Sequence, residues 1–241
     1  LKESVLNNND ADAALLRKEL REKNITLINL MSSPGSGKTS TLLALAPYLA
    51  GKLSWGVMEA DIDSDVDACT MEKAGIPAIQ LHTGGMCHLD ADMTRQGIRA
   101  FGRDDLDMIV LENIGNLVCP AEFDTGAALN MTILSVPEGD DKPAKSPLMY
   151  ETCSLLIVNK IDVASYFDFD REKVVEYADK VSQLGVYSLQ PQFQDLFGIA
   201  NESKGPEQIF TIYHEGDGID QQGNHQDHCA WTYPFQEKTE I

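Results

Sequence analysis

The chain has 241 residues, 43% of them hydrophobic, which is enough for a sizeable core and excludes a disordered or fibrous protein. Its 38 acidic residues against 19 basic ones give a formal charge of −19, a field that repels nucleic acid and anionic membrane, and no basic stripe opposes it. Five scattered cysteines (Cys69, Cys87, Cys119, Cys153 and Cys229) do not make a disulfide framework, and no apolar run approaches a membrane span, so the expectation is cytoplasmic, with reduced thiols.

Residues 1–23 are polar, with Leu15, Leu16 and Leu20 near helical spacing, and predict an amphipathic helical lead-in. Residues 24–31 (NITLINLM) predict a buried strand that meets SSPGSGKTS, after which TLLALAPYLA opens a helix. A second strand is predicted over 55–60, followed by acidic DIDSDVDA, a helix over 65–74 and a third strand over 78–82. After Gly84 and Gly85, MCHLDADMTRQGIRAF becomes helical past its first residues. Further strands are predicted over 106–113, 131–136 and 154–159, and a surface helix over 171–184. Strands alternating with helices imply a mostly parallel sheet flanked by helices on both faces, with a ligand site at the carboxyl ends of the strands. The expected division is a lead-in over 1–23, a nucleotide-binding domain over 24–185 and a turn-rich C-terminal segment over 186–241 whose elements the sequence does not assign.

Ser32-Ser33-Pro34-Gly35-Ser36-Gly37-Lys38-Thr39 meets the phosphate-loop pattern except at its first position, where serine replaces glycine. Gly35 and Gly37 let the backbone curl so that successive N–H groups face phosphate oxygens, and the following helix adds its positive end. Ser33 to Ser40 would then cradle the nucleotide, with Lys38 between the β- and γ-phosphates and Thr39 on Mg²⁺. A buried strand before the loop and a helix after it are the context such a loop needs. The fold class expected is therefore an α/β P-loop NTPase.

Asn159-Lys160-Ile161-Asp162 ends a predicted buried strand and reads as a guanine-selecting motif. The Asp162 carboxylate can accept from guanine N1–H and its amine, a donor pair that adenine lacks; Lys160 can lie over the base and Asn159 can brace the loop. GTP and GDP are the expected ligands. Asp61 and Glu112 each follow an apolar strand and are candidate magnesium carboxylates, with Glu112 on the more convincing core strand. Asp63, Asp65 and Asp67 crowd the same loop, and any of them can position the attacking water.

Cys87-His88 follows a glycine pair, and Cys119 follows the strand ending at Glu112; thiolate and imidazole suit Ni²⁺ or Zn²⁺. Three ligands from one chain are few, and a site shared across a dimer would supply the rest. From spacing alone, ordinary semi-buried cysteines near loops are the favoured reading. His225, His228 and Cys229 form a second cluster in the C-terminal segment.

Taken together, INLMSSPGSGKTSTL, MEADIDSDVDA, LHTGGMCHLDADM, IVLENIGNLVCPAEFDTG, VPEGDDKPAKSPLMY and LLIVNKIDV resemble, in order, the hydrogenase nickel-incorporation GTPases (HypB), of the SIMIBI class. CHLDA with ENIGNLVCP is specific to that family, whereas the phosphate loop and NKID are shared with many GTPases, the urease accessory GTPases among them. The resemblance implies a metal site at a GTP-dependent homodimer interface, built from Cys87, His88 and Cys119 of both subunits. It also implies slow GTP hydrolysis that times the handover of nickel to a hydrogenase large-subunit precursor, with a small zinc-containing accessory protein as partner. Lys38, Asp61 and Glu112 would carry the hydrolysis. The family's N-terminal cysteine motif and histidine-rich stretch are not in this sequence, so a storage role is not implied. The S-A-K-like segment that backs the base is not evident after residue 180; Ser188-Leu189-Gln190 is the nearest substitute. A small-molecule P-loop kinase is the competing class, and NKID argues against it.

Overall fold

The strand-forming runs are apolar on both faces, a pattern that is stable only when helices cover both sides of a sheet. The computed structural model describes residues 2–61, 66–181 and 209–211. Helix α1 (Lys2–Glu22) leads into β1 (Thr26–Ser32), followed by α2 (Lys38–Leu49), β2 (Trp55–Asp61), α3 (Val66–Lys73), β3 (Ala78–His82), α4 (Ala91–Phe101) and β4 (Met108–Glu112). Then come α5 (Cys119–Glu122), β5 (Leu129–Ser135), α6 (Lys142–Lys145), α7 (Pro147–Glu151), β6 (Leu155–Asn159), α8 (Arg171–Val181) and β7 (Ile209–Thr211). Among the described residues the seven strands form one parallel sheet in the order β3-β2-β4-β1-β5-β6-β7. This is the α/β P-loop architecture expected.

Alternation along β1 divides the core. Ile28 and Leu30 join Val57, Val110 and Ile133 beneath Leu42 and Leu49 of α2 and Met71 of α3. Leu27 faces the other way and packs with Leu16 and Leu20 of α1, while Met31 meets Met149 of α7 and Val174 of α8. Between these last two clusters runs a row of amides. Asn113 Nδ2 donates to Asn29 Oδ1 (2.9 Å), Asn29 Nδ2 to Asn130 Oδ1 (3.0 Å), and Asn130 Nδ2 to the Thr152 carbonyl (3.1 Å). Asn29 and Asn113 are fully buried, so these bonds, with the Ile114 N–H that donates to Asn113 Oδ1 at 2.9 Å, compensate for lost water.

Differences from the sequence reading are local. The proline-bearing stretch KPAKSPLMY forms α6 and α7, each with proline in its first turn, where a fixed φ and a missing N–H cost nothing. The C-terminal segment contributes β7, paired parallel to β6. His225, His228, Cys229 and Ser188-Leu189-Gln190 lie outside the described residues, as do Asp63 and Asp65. No helix among the described residues is long and apolar enough to cross a membrane.

Candidate functional site

The carboxyl ends of the central strands meet at the loop between β1 and α2. Gly35 and Gly37 have φ of 74° and 97°, left-handed values that side chains resist, which is why glycine stands at both. Lys38 and Thr39 open α2 directly after them, and Lys38 Nζ lies 3.4 Å from Ser32 Oγ. Ser36 is anchored from below: its hydroxyl donates to Glu138 Oε1 (2.6 Å), which also accepts from the Ser135 hydroxyl (2.8 Å) and N–H (2.9 Å). Burial alone would push the Glu138 carboxyl up, but these hydrogen bonds outweigh it and hold the group below the usual carboxylate range.

Asn159 ends β6 and is buried. Its Nδ2 donates to the Ser36 carbonyl (2.9 Å) and its Oδ1 accepts from the Lys160 N–H (2.9 Å), so it braces the phosphate loop. Lys160 has a φ of 58°, and its Nζ donates to the Gly35 carbonyl at 2.6 Å. Asp162 is exposed in the first turn of the 3-10 helix Ile161–Tyr166. The guanine-type motif and the phosphate loop are thus physically tied through two of its residues.

Thr39 Oγ1 donates to Glu112 Oε1 at 2.9 Å. Register puts Glu59 of β2 directly beside Glu112 of β4, both side chains on the α2 face, and Asp67 of α3 approaches them. Ligand oxygens of Glu59, Asp67 and Glu112 all lie within 4.8 Å of one another, the only such group of His, Cys, Asp and Glu ligand atoms among the described residues. Burial, then the neighbouring Glu112, pushes the Glu59 carboxyl up to about 7. Burial likewise pushes Glu112 to about 7, opposed by Lys38 and Thr39. Glu59 Oε2 and Glu112 Oε2 are both buried and without a hydrogen-bond partner. Asp61, the strand-end acid expected to hold magnesium, is not in that group, though its charge raises Glu59.

A second cluster lies one loop away. Cys87 and Cys119 bring their sulfurs to 3.0 Å, both thiols free. Two thiolates on one ion, each about 2.3 Å from it, can span up to ~4.6 Å, so the pair is close enough to share a metal. The hydrogen bond to Cys87 chiefly raises the Cys119 thiol above its ordinary value. His88 stacks on Phe123 instead, ring centroids 3.8 Å apart, with its buried Nδ1 unpartnered. The structure thus brings the two sulfurs together without the imidazole in a single chain.

The clusters are connected by a short span of chain. From Glu112 the backbone runs past Gly115, where an added Cβ would lie 3.0 Å from Pro34 Cα of the phosphate loop, to Cys119 at the start of α5. Two participants escaped the sequence reading. Glu59 had a signal, a charged residue inside the apolar run WGVMEA, and Glu138 had another, an acid just beyond a buried strand.

The chain is similar to known proteins in sequence and fold. Residues 26–185 match the family described as CobW/HypB/UreG, nucleotide-binding domain. The chain is 41% identical over 184 residues to the hydrogenase maturation factor HypB of Azotobacter vinelandii; that alignment takes in 76% of the chain and 60% of the relative, so the chain spans less than two thirds of that protein. It is 40% identical over 176 residues to the hydrogenase/urease maturation factor HypB of Helicobacter hepaticus, covering 71% of the chain and 72% of the relative. The crystal structure of HypB from Helicobacter pylori in complex with nickel superposes with a TM-score of 0.70 at 36% identity, over 74% of this chain and 84% of that one.

Proposed function

The chain belongs to the CobW/HypB/UreG nucleotide-binding family, within it to the HypB proteins, and on that premise we propose that it is a GTPase that carries nickel for hydrogenase maturation. The observation that carries the reading is the Cys87–Cys119 sulfur pair, joined to the phosphate loop by the few residues between Glu112 and Cys119. The acceptor is a hydrogenase large-subunit precursor and the partner a small zinc-containing accessory protein. The Helicobacter hepaticus relative's name pairs hydrogenase with urease, which makes a urease precursor the second acceptor to test.

Water attacks the γ-phosphorus, the bond to the bridging oxygen breaks, and charge grows on the leaving diphosphate. Lys38 and the N–H groups of the phosphate loop meet that charge, in a loop whose shape Asn159 and Glu138 hold before the nucleotide arrives. Thr39 with Glu59, Asp67 and Glu112 makes an oxygen-only set that fits a hard cation, with Asp61 outside that group at the end of β2, and the unpartnered oxygens of Glu59 and Glu112 support the fit. Mg²⁺, when bound there, would neutralise phosphate charge. Replacing Asp162 with asparagine puts a donor where guanine also presents donors; GTP affinity is expected to fall more than about tenfold with ATP affinity unchanged, in competition titrations.

The cargo is Ni²⁺, with Zn²⁺ as the competing ion for the same thiolates and for His88. A homodimer that joins the same three residues from each copy completes the ligand set. Exposed Met86 and Val118, 43% and 59% accessible and adjacent to Cys87 and Cys119, support self-association over that face. The test is a Ni²⁺ titration of protein loaded with a non-hydrolysable GTP analogue, with molar mass followed by light scattering. The loaded protein is expected to dimerise and bind a single ion per dimer, and Cys87→Ala or Cys119→Ala to weaken binding more than about tenfold. Metal binding that ignores nucleotide and survives both substitutions would leave the cysteines structural.

A further inference from the structure

Helix α1 is tied to both cysteine-bearing loops by one buried amide. Asn9 is 7% exposed; its Oδ1 accepts the Ala91 N–H at 2.9 Å, and its Nδ2 donates to the Asp124 carbonyl at 3.0 Å. Ala91 stands four residues beyond Cys87, and Asp124 five beyond Cys119. Both groups need a partner. Ala91 N–H belongs to the first turn of α4, where no helical carbonyl reaches it, and the Asp90 cap is already occupied with the Met93 N–H at 2.8 Å. Ala91 is itself fully buried, so water is no substitute.

The same helix grips the second loop again. Arg17 Nη2 donates to both oxygens of the Asp124 carboxylate, and its Nε donates to the Ala127 carbonyl at 2.9 Å. On the α4 side, Arg95 Nη2 donates to the Asp12 carbonyl at 3.0 Å. The His88–Phe123 stack crosses between the two loops from the other side. Only a side chain that donates at one end and accepts at the other can bridge an N–H and a C=O. Asparagine does so here, and aspartate or alanine would not.

We propose that Asn9 is a positioning residue of the metal centre, fixing the spacing of the Cys87 and Cys119 loops through its paired bonds to Ala91 and Asp124. This rests on the metal-site reading of the two cysteines. Groups that orient ligands without touching the ion typically change metal affinity by about 10–100-fold.

The test uses the full chain loaded with the GTP analogue, titrated with Ni²⁺ while the thiolate-to-nickel charge-transfer band is recorded. Asn9→Ala, Asn9→Asp, Lys23→Ala and Cys87→Ala are compared with the unaltered protein. Lys23 pairs with Asp104 at the far end of α1 at 2.8 Å and so controls for helix docking in general. Asn9→Ala is expected to lose about tenfold in nickel affinity and to shift the band, with GTP hydrolysis in the absence of nickel unchanged. Asn9→Asp, which keeps the bond to Ala91 and loses the one to Asp124, should fall between, and Lys23→Ala should change neither. Unaltered affinity and band in Asn9→Ala, with binding abolished in Cys87→Ala, overturns the proposal and leaves the metal reading standing. An equal loss in Lys23→Ala overturns it too. If Cys87→Ala binds nickel normally, the metal reading fails and the proposal falls with it. Should Asn9→Ala not fold, Asn9→Asp decides by the same criterion at an unchanged melting temperature.

Discussion

Gly37→Ala is expected to lower GTP affinity about a hundredfold while leaving the fold intact. At a φ of 97° an alanine is strained by roughly 1–2 kcal/mol. Its Cβ would also lie 2.5 Å from Asn159 Nδ2, nearer than atoms can approach. Either the loop moves or Asn159 does, and each displacement breaks the bond from Asn159 to the Ser36 carbonyl, about 1 kcal/mol more. At 1.4 kcal/mol per tenfold, the two terms together reach about a hundredfold. Titration with a fluorescent GTP analogue measures it. Asn159→Ala removes the obstacle, so the double variant should lose less than the sum of the single losses. Near-normal affinity in Gly37→Ala would mean that the bound loop differs from this one.

Glu112→Gln is expected to slow Mg²⁺-dependent GTP hydrolysis about 100–1,000-fold, by removing a charge aimed at the cation, and yet to stabilise the nucleotide-free protein at pH 8. Burial raises this carboxyl from its ordinary 4.5 to about 7. Between those values the folded protein holds this proton and the unfolded chain does not, so this group's contribution to stability is full below pH 4.5 and is lost as pH rises through 7. The loss is on the order of 3 kcal/mol for a shift of this size. A neutral amide keeps an acceptor for Thr39 and does not titrate. Thermal melts from pH 4.5 to 8 should therefore flatten in the variant over the range where the parent falls, Glu59 supplying what slope remains. Adding Mg²⁺ with GDP should raise the melting temperature of the parent by more than that of the variant, which keeps the phosphate loop and loses one carboxylate for the cation. Parallel pH profiles would show that Glu112 does not carry the buried charge.

The layout of the sheet was legible because each strand run is apolar and bounded by loop chemistry, and the phosphate loop announces itself through Gly35, Gly37 and Lys38. Register was not legible. Asp61 looked like the strand-end acid because WGVMEA precedes it, but it is the pairing of β2 with β4 that sets Glu59 beside Glu112, and no single strand records its partner. Cys87 and Cys119 were suspected from residue type, yet their approach to 3.0 Å joins residues 32 apart in the chain, on two different loops. Asn9 had no signal at all: on a polar helix beside Asn7, Asn8 and Asp10, one more asparagine reads as solvated surface. The short helices α6 and α7 hid behind prolines, which mark a helix start and a helix break with the same letter.

The row of amides through Asn113, Asn29 and Asn130 bears on why a single alignment of the sheet prevails. A strand greasy on both sides can slide by two residues against its neighbour and still bury oil against oil, so hydrophobicity leaves β1 nearly indifferent to where it stops. An amide cannot slide: displaced, it would face a leucine or a methionine unsatisfied, at about 1–3 kcal/mol for each orphaned group. The amides act like the notch on a ruler. Since the phosphate loop continues directly from the end of β1, and Glu112 is the residue before Asn113, the meeting of Thr39 with Glu112 is decided by that notch, before any nucleotide is present.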